Sequence, residues 1–566
     1  MPPNLPSERT SSLFSGSRTE PANFVSPDLV LVQTPGWGIK TMPLSLATLA
    51  AFVRSKGHRV LPLDLNVEFH LRRRPPYMDL WDDNTADWFW RTGSRIEGFI
   101  ADHRELIDAQ VEALLATGAR LFGFSCYSSC SHVSLHYARE IKRRRPDAVT
   151  IFGGPHASRT LAGRDLALRP GVDLVAQGEG ELILLETVER VKAGRGVDGI
   201  PGTLQGRDGK VVDHGDRPLI RDLDELPFAD LGDFDPSLYE RKTTLPVMAS
   251  RGCPNKCNYC SEKVYWGTYR GFSPRRVADE VFHQLERFPQ LDQVDFMDSL
   301  INGVMSRMLD MARLFAAHPR KFIWASQAVI RKEMTYEVFK TLHDGGCRCL
   351  AFGLETSSVE LMLKSGKVLA KGVELDRLVE DAHRAGLSCA YNFMFGLPGE
   401  TAANAAASLD FLRRHKGRIG TVNPSAAFCG FSPGTPAFER PEDFGVVPDD
   451  SGREAYWRTA DGTNDLLVRL ERFEAFCAEA VDLGVPTTYP HRRLLDRDRV
   501  IADFLHHHGR HAEALPYYDR WLESHPDDET SRLSRRLSAH EARGRLARFS
   551  ERMTKTLLDG ARALVS

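Results

Sequence analysis

The sequence predicts an α/β chain in three folded parts: a Rossmann-like half, a βα barrel and a C-terminal helical region. Three observations predict it. Short β-branched apolar runs alternate with helical patterns between Asp28 and Gly194, which is how a parallel sheet with crossover helices reads. The same alternation resumes around Leu245 and continues to His415, as the repeated units of a βα barrel require. Beyond about residue 450 the pattern turns helical.

The first half opens with DLVLVQ (28–33) as a strand, a TPGWG turn (34–38), and the helical pattern LSLATLAAFVRSKG, closed by Gly57 as a C-cap. HRVLPLDLN reads as the second strand. A polar, Trp- and Arg-rich stretch then reads as an insertion with short helices. ARLFGFSC, HVSLHYAREIKRRR and AVTIFGG read as strand, helix, strand; DLVAQG and ELILLETVERVKAG add one more pair. Ligands of such sheets lie at the carboxyl ends of the strands. There the chain carries Gly-rich turns at 34–38, 153–157 and 178–181, where bare backbone can approach a ligand. None is a G-x-G-x-x-G dinucleotide fingerprint.

In the second half LPVMAS is the first barrel strand. PRRVADEVFHQLERF follows as a helix with proline in its first turn. QVDFMDS, FIWASQ, CLAFGLE and CAYNFMFG are further strands, each followed by a helical pattern. HHHGRHAEALPYYDRWLESHPDD resembles one tetratricopeptide hairpin; a stable array needs about three, so it reads as a helical cap. The expected organisation is a disordered tail (1–25), a first domain (26–200), a linker (201–240), the barrel (241–450) and a helical domain (451–566).

Hydrophobic content of 42% with 27% charged residues is that of a globular chain, and a net charge of −2 gives no bulk attraction to nucleic acid or anionic membrane. No apolar run reaches the roughly 18 residues of a spanning helix, and the first 24 residues lack a signal-peptide core. Ten cysteines, three of them clustered, do not form a secreted disulfide framework, so a cytoplasmic location is expected.

That cluster is RGCPNKCNYC: Cys253, Cys257 and Cys260 in C-x3-C-x2-C spacing. Three thiolates leave a structural zinc site one ligand short, unless a distant His or Cys completes it. They can hold three irons of a [4Fe–4S] cube and leave the fourth open. The spacing resembles the signature of the radical S-adenosylmethionine (SAM) enzymes, which implies a partial (β/α)6 barrel for the second half. The resemblance implies that the open iron chelates S-adenosylmethionine and that Tyr259 packs near the adenine. By the same resemblance Asp298 faces the methionine end, Glu355 lies near the ribose, and Met394, Gly396 and Pro398, within NFMFGLPGE, pack on adenine. Arg331 and Lys367 fall where relatives carry basic residues. The bland alternative makes Asp298 and Glu355 helix N-caps.

The order of the turns in the first half resembles the cobalamin-binding domain of one radical SAM subfamily. That implies corrin contacts from Pro35, Gly36, Ser125, Gly153, Gly154, Pro155, His156, Gly178, Glu179 and Gly180. Asp381-x-His383-x-x-Gly386 matches a cobalt-ligand motif, but in the wrong domain, at the end of a helical pattern. The expected cofactors are therefore a [4Fe–4S] cluster, S-adenosylmethionine and cobalamin without a histidine below the cobalt. The remaining cysteines read as small buried hydrophobes, Cys126 and Cys130 standing nearest a site. A run at His506–His508 points its rings in different directions along a helix.

The resemblance implies a 5′-deoxyadenosyl radical acting on an unactivated carbon, most often for methyl transfer to a natural product, peptide or lipid. Ring rearrangement or oxidative cyclisation uses the same parts. A non-catalytic cobalamin or cluster sensor is the alternative of another class. A small-molecule or peptide substrate and an external donor of the flavodoxin or ferredoxin type are the expected partners, with no nucleic acid.

Overall fold

The structure, a computed structural model, describes residues 26–81, 87–90, 93–450, 453–526 and 528–542. The expected tail at 1–25 lies outside them. Two compact units emerge: one runs up to Ala249 and includes Arg270–Asp295, and the other holds Ser250–Tyr269 and the chain from Phe296.

The first unit is built on β1 (Leu29–Gln33), β2 (Val60–Asp64), β3 (Leu121–Ser125), β4 (Val149–Gly153) and β5 (Leu174–Ala176). β1 and β5 are buried along their whole length, as strands covered on both faces must be. Helices α1 (Leu44–Ser55), α2 (Ser131–Arg144) and α3 (Glu181–Lys192) follow β1, β3 and β5. The order is β2-β1-β3-β4-β5-β6-β7. The first five strands are parallel, with Val30 opposite Phe122 and Phe124 opposite Phe152.

β6 (Thr203–Arg207) and β7 (Lys210–Asp213) are antiparallel additions to this sheet, inside the stretch read as a linker. They are joined by Asp208 and Gly209, at φ 49° and 71°. Two successive positive φ values give the turn whose twist suits a two-residue hairpin. The Trp-rich insertion between β2 and β3 contains helices Leu65–Leu71, Asp87–Trp90, Gly93–Asp102 and Arg104–Ala116. Tyr77, Phe89, Trp90 and Phe99 pack edge to face within it, and His103 lies tilted against Tyr77 and Phe99.

The barrel sheet runs β13-β12-β11-β10-β9-β8. Its strands are β8 (Thr244–Val247), β9 (Gln293–Phe296), β10 (Ile323–Ala328), β11 (Cys347–Glu355), β12 (Ala390–Phe393) and β13 (Thr421–Pro424). β10 to β13 are parallel. Phe352 and Leu354 on β11 and Phe393 on β12 are buried, while their sequence neighbours Gly353, Glu355 and Asn392 remain partly accessible. One face of the sheet thus packs on helices, and the other is left half-open at Gly353, Glu355 and Asn392. α4 (Pro274–Arg287) begins as expected, with proline in its first turn and Ser273 Oγ accepting from Arg276 N at 3.2 Å. His383 lies inside α5 (Leu375–Arg384), with Gly386 at φ 86° just past its end.

After the barrel, α6 (Leu466–Leu483) is followed by α7 (Arg497–His507), α8 (His511–Ser524) and α9 (Glu529–Ala542). Within the histidine run, His507 and His508 both pair with Asp449, at 3.1 and 3.0 Å. Among the described residues, no helix is long and apolar enough to cross a membrane.

Candidate functional site

The loop after β8 carries Cys253, Cys257 and Cys260, all half-buried free thiols. Its backbone is tied to a second loop: Lys256 N donates to Gly366 O and Asn258 N to Ser365 O, both at 3.0 Å, while Leu369 N donates to Asn255 Oδ1 at 3.2 Å. Gly366 sits at φ 90°, and any Cβ there would collide with the Lys256 carbonyl. Burial raises the pKa of all three thiols, that of Cys260 to about 12. Each of Cys253, Cys257 and Cys260 also feels another member of the trio or a nearby carboxylate. The buried Lys367 ammonium opposes this at Cys253 and Cys257. Three thiols resisting ionisation together are a donor set that a polynuclear cationic cluster would satisfy as thiolates. Among the described residues, no group of three His, Cys, Asp or Glu side chains is arranged to hold a single metal ion.

Lys367 also joins the loop to the end of β11. Its Nζ donates to Gly353 O and pairs with Glu355 Oε1 at 2.8 Å. Glu355 has φ 65°, a backbone conformation that costs a non-glycine residue about 1–3 kcal/mol. The β11–β12 register shifts at that point, and Glu355 O accepts from Met394 N at 3.0 Å. The helix-cap alternative therefore fails for Glu355, because Ser358 caps the next helix. It fails for Asp298 too: Ser250 Oγ donates to its buried carboxylate, and the following helix begins after Val304. Arg331 is spent on the carbonyls of Asn302 and Gly303.

Tyr259 and Met394 pack on one buried core of Leu361, Leu397, Cys429, Phe431, Ala437, Val446 and Trp457. The three cysteines, Tyr259, Glu355 and Met394 are thus bound into one neighbourhood by shared contacts. Gly396 and Pro398 continue the chain beyond it as a buried loop. Asp298 is held separately, through Ser250.

In the first unit, the turns after β1, β3 and β4 meet backbone to backbone. Gly36 lies against Ser129, and His156 N donates to Cys126 O at 3.3 Å. Gly154 has φ 105°, and a Cβ there would stand 2.8 Å from the Cys126 carbonyl. Pro35 is buried, while Trp37 is 39% exposed and stacks on Tyr127 at 3.6 Å between centroids. Ser125, Gly153, Gly154, Pro155, His156, Gly178, Glu179 and Gly180 are all half-buried, and the glycines among them have only backbone to present. The Glu179 carboxylate is not aimed outward: Arg270 pairs with it at 2.9 Å, and Ile220 N donates to it at 2.9 Å. What that turn offers a ligand is its glycines. Cys126 and Cys130, in the turn after β3, are fully buried.

The sequence reading did not anticipate Arg469 and Arg472 of α6, which reach the loop at 395–400. An arginine in an amphipathic helix carries no sign, in one sequence, that it is buried.

Two family models match the chain: a B12 binding domain over residues 94–188 and the radical SAM superfamily over residues 247–412. An uncharacterized methyltransferase of Pyrococcus horikoshii is 28% identical over 299 residues, covering 52% of this chain and 64% of that protein. The cobalamin-dependent radical SAM methyltransferase TokK of Streptomyces tokunonensis is 27% identical over 325 residues, 54% of this chain and 45% of TokK. Both matches span less than two thirds of the relative's own length. The solved structure of the cobalamin-dependent S-adenosylmethionine radical enzyme OxsB with aqua-cobalamin bound has a TM-score of 0.57 at 15% identity. It covers 95% of this chain and 76% of OxsB, a likeness of fold.

Proposed function

We propose that the chain is a cobalamin-dependent radical S-adenosylmethionine enzyme, a reading its B12-binding and radical SAM matches support, and that it methylates an unactivated carbon of a small-molecule, lipid or peptide substrate. The observation that carries the reading is the three-thiol loop bound to the Lys367–Glu355 pair. Cys253, Cys257 and Cys260 would hold the [4Fe–4S] cluster. Tyr259, Met394, Gly396 and Pro398 would line the adenine, and Glu355 would meet the ribose. Asp298 would face the methionine end. In the first unit, backbone at Pro35, Gly36, Ser125, Gly153, Gly154, Pro155, His156, Gly178 and Gly180 would meet cobalamin, with Glu179 holding its turn in place.

When bound, these groups supply a hydrogen-abstracting carbon radical and a transferable methyl group; the chain's share is placement and exclusion of water. Lys367 stands beside the thiolates and fixes Glu355. Tyr259 and Met394 present an apolar wall. Electrons would come from a flavodoxin- or ferredoxin-type donor, in the reducing cytoplasm.

The test is anaerobic reconstitution with cobalamin, S-adenosylmethionine labelled in its methyl group, and a low-potential reductant. The parent protein should bind one cluster, retain corrin and release 5′-deoxyadenosine, while Cys257→Ala should release none. Label entering the product supports methyl transfer, whereas an unlabelled rearranged or cyclised product replaces it with that chemistry. Deoxyadenosine at the parental rate from Cys257→Ala would refute the cluster assignment.

A further inference from the structure

We propose that Arg472 and Arg469 of α6 are positioning residues for S-adenosylmethionine, bracing from the C-terminal region the loop that would line its adenine. The inference rests on the adenine reading of residues 394–398 and extends it to a segment no motif assigns.

The loop Phe395–Glu400 is held by a chain of contacts that ends on this helix. Glu400 turns back and accepts from Gly396 N at 2.7 Å. The same carboxylate oxygen pairs with Arg472 Nη1 at 2.9 Å, and both side chains are nearly inaccessible. Arg469 lies alongside Gly396, occupying the space a Cβ there would need. It is fully buried, with its guanidinium 3.7 Å from the Trp457 ring centroid. Its N–H groups reach Asn464 Oδ1 and the carbonyls of Ala455, Trp457 and Asn464. Asn464 Nδ2 in turn donates to Leu397 O at 3.3 Å. Trp457 Nε1 donates to Cys429 O, and Cys429 N to Phe395 O. So Phe395, Gly396 and Leu397 each have a backbone group traceable to residues 457–472.

A fully buried guanidinium beside a second that is mostly buried is an expensive way to close a core that apolar residues would fill. A planar fork that grips several oxygens fixes direction as well as distance. The geometry points to loop orientation as the result. Arg472 fixes the Gly396 amide through Glu400, and Arg469 sets the wall beside Gly396.

The experiment uses the full chain with its cluster reconstituted, in Arg472→Lys, Arg472→Gln and the charge-neutral double variant Arg472→Met/Glu400→Gln. Readouts are iron content, thermal midpoint without ligand, the calorimetric Kd for S-adenosylmethionine, and the change in the reduced cluster's electron spin resonance signal when it binds. Arg472→Gln should keep parental iron content, weaken S-adenosylmethionine about tenfold or more and blunt the spectral change. Arg472→Lys should recover much of both. The double variant, which leaves no charge stranded, should regain the thermal midpoint but not the affinity. Affinity and spectrum at parental values in the Gln and double variants would overturn the proposal, as would affinity that merely tracks the thermal midpoint. A parent protein that holds a cluster yet neither binds S-adenosylmethionine nor responds to it would instead sink the adenine reading itself.

Discussion

At the scale of single residues, Gly366 and Asp64 carry the sharpest consequences. Gly366 combines a positive φ with a carbonyl where a Cβ would stand. Gly366→Ala must therefore push the loop at 365–369 away from the cysteines. Iron content after reconstitution should fall well below the parental value, and a fully loaded, equally stable variant would contradict this. Asp64 ends β2 wholly buried, accepting from Tyr239 Oη at 3.0 Å and Asn66 N at 3.1 Å. Burial lifts its pKa from 3.8 to about 7, against those hydrogen bonds. Between these values the folded state keeps a proton that the unfolded chain has released. The resulting stability is fully present below pH 3.8 and fades as pH rises through 7, with about 4 kcal/mol as its upper bound. Asp64→Asn removes the titration, so the parent's thermal midpoint should drop relative to the variant's across that window. Parallel curves would refute it. The cysteine trio was legible because its spacing is its chemistry. Arg469 was not, because only tertiary packing buries it.

At the scale of elements, α6 shows what its pattern hid. Phe473 is fully buried and meets Phe395, Phe428 and Tyr489 edge to face. Phe473→Ala should cost about 3–5 kcal/mol, read as a lower denaturant midpoint, and a shift of under about 1 kcal/mol would mean the cavity collapses freely. Alternation of apolar runs and helical patterns made the parallel strands readable, most plainly at β1 and β5, which are buried along their whole length. The β6–β7 hairpin was missed although Asp208-Gly209 is a strong turn dipeptide. Its strands are short and largely polar, with Arg207 and Lys210 exposed, so no apolar run announced them. Residues 201–240, expected as a linker, thus lend two strands to the first sheet.

At the scale of the whole molecule, ligand binding should sort the two units. A corrin present at a hundredfold its Kd adds about 2.7 kcal/mol to the unit that takes it. Hydrogen exchange should then slow at the turns 34–38, 125–130, 153–157 and 178–181 when cobalamin is added, and corrin retention with no change at any of them would move the site elsewhere. Fold class was legible throughout because the alternation persists over both sheets. The division between the units was not: it returns residues 270–295 to the first unit, a long-range packing outcome that local periodicity does not encode. One feature of the first sheet also reaches into biosynthesis. β1 pairs with β3 across the whole insertion, Val30 meeting Phe122. At roughly 5–20 residues per second, the ribosome leaves one flank of β1 without its partner for several seconds. Such non-local parallel pairing folds slowly. During that wait the apolar Leu29–Gln33 segment is open to other nascent chains, so yield of native protein should fall with slower translation of the insertion and rise with chaperones that shield the emerging strand.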